Sequence, residues 1–177
     1  MLIMKTLQTI KGLMLAIVGI ALFVACKPRT EGELGEPFSK IEGISGTWEL
    51  ARFIQKDLNN PIKEERDLSQ FYIKENITPL RLTFDGGDRT YSIAIETGRN
   101  YFGEGGTWAF DDNDYPSFIF LTTTIDGVET VLEFELGSMV RSFDNTLLIE
   151  LGRGCNLGTA DEIPTVIYRF EFTRITE

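Results

Sequence analysis

The chain has 177 residues, 42% hydrophobic and 25% charged, with a formal net charge of −10. That balance describes one globular domain with its termini, neither disordered nor fibrous. It contains no histidine and two cysteines, Cys26 and Cys155, which excludes His-dependent nucleophiles, His-ligated metals, His proton shuttles and a disulfide framework. The acidic balance disfavours nucleic acid as a partner, because phosphate backbones are held by a basic face.

The N-terminus carries Lys5 and Lys11 without an acid, then an apolar run from Gly12 to Ala25, stopped by Cys26, Lys27 and Pro28. A membrane-crossing helix needs about 20 apolar residues, and this run is shorter, so it reads as a signal peptide over residues 1–25. Its end, Leu22-Phe23-Val24-Ala25-Cys26, resembles the lipobox of bacterial lipoproteins, with Phe23 where Leu is usual. The resemblance implies that Cys26 is acylated, with palmitate-type chains, and becomes the mature N-terminus. Residues 26–43, polar and containing Gly and Pro, then form a flexible tether. The expected address is the cell envelope, lipid-anchored at the outer membrane, with the periplasmic and surface faces both open.

From Ile44 onward the hydrophobic pattern has period two and is broken by turns at short intervals, the pattern of an all-β sandwich or barrel. The first strand, Thr47 to Ile54, places Trp48 and Leu50 on one face. The polar stretch Gln55 to Thr78 follows, and its Asn60-Pro61 start and Lys63-Glu64-Glu65-Arg66 charges predict a short helix or lid. Leu80, Leu82 and Phe84 alternate before Asp85-Gly86-Gly87-Asp88, and Tyr91, Ile93 and Ile95 alternate after it, which predicts a hairpin. Trp108 and Phe110 share a face before the turn Asp111 to Pro116, and Phe118 and Phe120 are expected inward in the strand that follows. Leu132, Phe134 and Leu136 alternate with Glu133 and Glu135, and Leu147, Ile149 and Leu151 come after the Ser142 to Asn145 turn. The long loop Gly152 to Pro164 leads to the last strand, with Val166, Tyr168, Phe170, Phe172 and Arg174 on one face. Eight strands predict an all-β fold over residues 44–177: an eight-stranded antiparallel up-and-down barrel with a short helical or lid insert after strand 1.

Gly46-Thr47-Trp48 at the start of the first strand and Arg174 near the end of the last resemble the lipocalin signature. It implies that Trp48 closes one end of the barrel and that Arg174 packs over the indole, a contact worth about 0.5–2 kcal/mol. With the lipobox, the Leu80 to Ile95 hairpin, Gly106-Thr107-Trp108-Ala109-Phe110 and Tyr168-Arg169-Phe170-Glu171-Phe172, residues 44–175 resemble a lipocalin-like domain of unknown function found in lipoproteins of Bacteroides-type bacteria.

Catalytic and metal chemistry find little support. An EF-hand loop starting at Asp111 needs Gly at 116 and Glu at 122, where Pro116 and Thr122 stand, so Asp111-Asp112-Asn113-Asp114 reads as hairpin-capping turn residues. Cys155 lacks a histidine base and reads as a structural thiol. The expectation is a monomeric, non-catalytic protein without cofactor or metal. Two functions fit it. One is a binding module for a small apolar or amphipathic ligand, with Trp108, Phe110, Tyr91, Phe120, Tyr168 and Phe170 lining either that ligand or the core. The other is a protein- or glycan-interaction module of the envelope with a filled barrel, because an eight-stranded barrel is only just wide enough for its own side chains.

Overall fold

The structure is a computed structural model that describes residues 38–60, 62, 64–138, 140, 145–154 and 164–175. Residues 1–37 with Cys26, residues 141–144 of the Ser142 turn, and Cys155 lie outside the described residues. The described chain begins with helix α1 (Lys40–Ile44), inside the stretch expected to be tether. Strands β1 (Gly46–Asp57), β2 (Glu65–Asp67), β3 (Arg81–Asp85), β4 (Thr90–Ala94) and β5 (Gly106–Phe110) follow. They are succeeded by β6 (Phe118–Ile125), β7 (Val128–Leu136), β8 (Thr146–Arg153) and β9 (Val166–Ile175).

From β3 to β9 each strand pairs antiparallel with the next, and β1 pairs with both β3 and β9. The result is the expected closed, up-and-down, eight-stranded barrel, with every predicted strand present. Closure leaves no sheet edge around the ring. The polar insert carries the expected short helical element, a 3-10 turn at Ser69–Phe71, and adds before it a three-residue strand, β2, that pairs with residues 54–56 of β1. The β1 segment it joins is already extended and offers unpaired backbone beyond the end of β3, so a strand satisfies more groups there than an isolated helical turn would.

The first strand needs an irregularity to keep its apolar residues inside. Register shifts between Leu50 and Arg52, so Ala51 is the extra residue of a β-bulge. Without it, Phe53 would face the opposite way from Trp48 and Leu50, because one residue of slip exchanges the two faces of a strand. With it, Trp48, Leu50 and Phe53 all enter the core.

Strand β6 corrects the expected parity. Both of its faces are apolar, so alternation alone does not orient it. Register does: Trp108 pairs with Leu121, Phe110 with Ile119, and Ile119 with Phe134. Ile119, Leu121 and Thr123 are therefore the buried row. Phe118 and Phe120 are half-buried on the other face, with Phe120 opposite exposed Ala109 and Glu133. Phe120 thus lines neither the core nor an interior ligand site.

Candidate functional site

The barrel has two ends. The first gathers α1, the β3–β4 turn, the β5–β6 loop and the end of β9; the second gathers the insert, the β4–β5 loop and the β6–β7 turn.

At the first end Trp48, fully buried, donates its indole N–H to Ile44 O at 2.7 Å. The Arg174 guanidinium lies 4.3 Å from the Trp48 ring centroid and donates to Ser45 O at 2.7 Å and to Gly43 O. Those carbonyls belong to the C-terminal end of α1, whose last carbonyl groups a cation can satisfy. Gly46 has φ +118°, and a Cβ there would stand 3.2 Å from Arg174 Nη1. Backbone conformation and the close approach of Arg174 both call for glycine at this position. Trp108 anchors to the same half through its indole N–H, which donates to Asp85 O at 3.0 Å, and Phe110 meets it edge-on at 5.1 Å.

At the second end the stopper comes from a loop. Phe102, fully buried, stacks on Phe134 at 4.9 Å and meets Phe170 edge-on at 4.9 Å. Polar side chains reach in to hold the loop. Tyr91 Oη donates to Phe102 O at 2.6 Å, Asn100 Oδ1 accepts from Phe102 N at 2.9 Å, and Asn100 Nδ2 donates to Gly103 O. Thr123, the buried polar residue of the core, accepts from Glu104 N at 3.1 Å and donates to Gly105 O at 2.8 Å. Gly103, at φ +78°, lies directly against the Thr123 side chain, where a Cβ has no room.

The insert adds a second aromatic layer. Tyr72 meets Phe53 edge-on at 5.0 Å and donates to Arg99 O at 2.6 Å. Half-buried Tyr101 and Tyr168 lie 5.2 Å apart, and the Arg99 guanidinium sits 5.2 Å from the Tyr101 ring. Burial pushes the phenols of Tyr72, Tyr91 and Tyr101 above their usual range.

Of the residues singled out from sequence, Gly46, Trp48 and Arg174 thus meet at one end. Tyr91, Phe170 and Tyr168 gather around the loop stopper and its aromatic neighbours, Trp108 and Phe110 pack in the other half, and Phe120 stands outside. Phe102, Tyr72, Arg99 and Thr123 were not singled out. The signal for the first was an aromatic pair, Tyr101-Phe102, set between Gly98, Gly103, Gly105 and Gly106. The Asp111 and Asp112 carboxylates behave as turn caps: Asp112 Oδ1 accepts from the amides of Asp114 and Tyr115, and Asp111 Oδ1 from those of Ser117 and Phe118. Backbone donors, Phe118 N–H first, hold the Asp111 carboxyl below the usual carboxylate range.

No protein-family model matches the chain, and no curated protein or solved structure matches it significantly.

Proposed function

We propose that the protein is a lipid-anchored, non-catalytic binding module of the cell envelope, monomeric, whose barrel is a filled scaffold and whose outer surface makes the contacts. The observation that carries the reading is Phe102. A loop of the chain itself occupies the interior position that a small apolar ligand would take, and Tyr91 and Thr123 use their polar groups to hold it there. The resemblance of Leu22 to Cys26 to a lipobox supports the anchor, and the barrel with its Trp48–Arg174 closure supports the likeness to lipocalin-like lipoprotein domains.

Exposed apolar residues crowd the loop-closed end. Phe71 and Ile73 of the insert and Ile125, Val128 and Val131 of the β6–β7 hairpin are all exposed. Loops on a rigid barrel are a common place for recognition, and solvent-facing apolar groups gain most from being covered. We place the contact with a second envelope protein on this rim.

Native mass spectrometry of the protein extracted from its own envelope, before and after organic extraction, tests the filled scaffold. The expected result is a mass explained by the chain and its Cys26-linked lipid alone. A further mass removed by extraction overturns it in favour of a small amphipathic ligand, a reading favoured by half-buried Tyr101 and Tyr168 and exposed Arg99 at the mouth. For the rim, crosslinking in intact envelopes should give an adduct that the Phe71→Ser, Val131→Ser double variant loses. Acyl labelling abolished by Cys26→Ala tests the anchor.

A further inference from the structure

The other end of the barrel carries a cleft of about 480 Å³ between α1, the β5–β6 loop and the end of β7. Lys40, Asp114, Tyr115, Ser117, Glu135 and Ser138 are among its lining residues. Tyr115 is 84% exposed, more than any other large apolar or aromatic side chain among the described residues. A phenol ring held out into water contributes nothing to the core, and two features fix the backbone that carries it.

The first is the backbone. Asp112 Oδ1 accepts from Asp114 N at 2.7 Å and Tyr115 N at 3.0 Å, and Asp111 Oδ1 accepts from Ser117 N at 3.0 Å. Ser117 O in turn takes Leu136 N at 2.8 Å, tying the loop to the end of β7. The second is Arg89, whose guanidinium lies 4.6 Å from the Trp108 ring and donates to Asn113 Oδ1 at 3.3 Å. The backbone that carries the ring is thus pinned from both sides, so little loop-ordering entropy remains to be lost when something stacks on it.

We propose that this cleft is a carbohydrate site, taking a neutral or amino-sugar oligosaccharide with one ring stacked on Tyr115. The chemistry of the lining selects this class. A pyranose has a face of C–H groups that covers an aromatic ring, and a rim of hydroxyls that can donate to carboxylates and exchange hydrogen bonds with serines. Asp114 and Glu135 supply the acceptors, and Ser117 and Ser138 the hydroxyl partners. Among the described lining residues two carboxylates stand against one ammonium, Lys40, a balance that disfavours phosphate and sulfate groups and favours a sugar amine. The inference deepens the reading of the protein as a surface-acting module by naming one ligand class and its site, and it rests on that reading.

The test is amide chemical-shift mapping on the full-length chain with three probes: a β-1,4-linked N-acetylglucosamine tetrasaccharide, its de-acetylated glucosamine counterpart, and a sulfated oligosaccharide. The first two should give saturable shifts at Asp114, Tyr115, Ser117 and Ser138, with dissociation constants of about 0.1–10 mM, and the sulfated probe none. Tyr115→Ala should weaken both by roughly tenfold or more, and Tyr115→Phe, which keeps the ring, by less than about threefold. Glu135→Gln should weaken the glucosamine probe more than the acetylated one. Shifts that map elsewhere, an unaffected Tyr115→Ala variant, preference for the sulfated probe, or no shifts at all would each overturn the proposal. A protein adduct crosslinked through Tyr115 in intact envelopes would reassign the cleft to a protein partner. Because the rim variants and the extraction experiment do not involve this cleft, failure here leaves the filled-scaffold reading standing, and failure there is seen separately.

Discussion

At one end of the barrel the stopper is a strand residue, Trp48, with Arg174 of the neighbouring strand laid over it and bonded to the carbonyls of α1. At the other it is Phe102, a loop residue carried inward on a glycine-rich turn and pinned by Tyr91 and Thr123. The first closure follows from pairing register, since Trp48 and Arg174 are direct cross-strand partners. The second depends on a loop of 11 residues, Ile95 to Gly105, adopting one conformation. A barrel can therefore be sealed by its own ladder or by a separately ordered segment. Only the second kind of seal can open without breaking strand pairing, which is where local unfolding would begin.

Removing either stopper should give the largest effects. Trp48→Ala and Phe102→Ala should each cost about 3–5 kcal/mol in urea unfolding, by lost burial and the cavity left behind. The two should differ in hydrogen exchange. Amides of Phe102 and Glu104 in the unaltered chain should exchange through a lower-energy opening than that of Trp48, and equal protection at both ends would erase the distinction. Arg174→Met should cost about 2–3 kcal/mol, because it removes charge-assisted hydrogen bonds to Ser45 and Gly43 and the contact with the indole. Thr123→Val should cost about 1–2 kcal/mol through the loss of its two bonds to the loop, and should raise exchange at Glu104 while leaving Trp48 protected.

The pH dependence should separate the ends further. Tyr72, Tyr91 and Tyr101, all associated with the loop-closed end, have raised values. In the unfolded chain tyrosine ionises near about pH 10. Above that the unfolded state releases protons that the folded state keeps, so stability present below pH 10 falls as pH rises, and Tyr72→Phe should flatten that alkaline limb. The smallest effect is expected in acid. Hydrogen bonds from the Ser69 side chain and backbone hold the Asp67 carboxyl below its usual value, and backbone donors do the same for Asp111. Their contribution is present above about pH 4 and is lost as pH falls through the lowered folded values. Asp67→Asn should remove part of that slope in acid unfolding curves.

How much could be read in advance follows the same division. The eight strands were legible because inward and outward positions alternate with period two and turn residues separate them. The Trp48–Arg174 contact was suggested by the resemblance of Gly46-Thr47-Trp48 and Arg174 to the lipocalin signature, and strand register makes the two cross-strand partners. The facing of strand β6 was not legible, because Phe118-Ile119-Phe120-Leu121 is apolar on both faces and only its pairing with Trp108, Phe110 and Phe134 chooses between them. The Ala51 bulge has no mark of its own in the sequence. Phe102 and Tyr72 lie on irregular backbone, where spacing carries no direction, and Tyr115 reads as an ordinary turn residue until the cleft beside it is seen.

By itself, then, the chain determined an all-β fold of eight antiparallel strands and the apolar face of most of them. Those properties depend on local periodicity and on composition, which a linear sequence displays directly. Tertiary structure alone decided that the interior is occupied by a loop phenylalanine, that β6 faces as it does, and that an exposed tyrosine shares a cleft with Asp114, Glu135, Pro116 and Leu136. Each of these depends on which distant segments share space, and that is settled by strand register and loop conformation acting together.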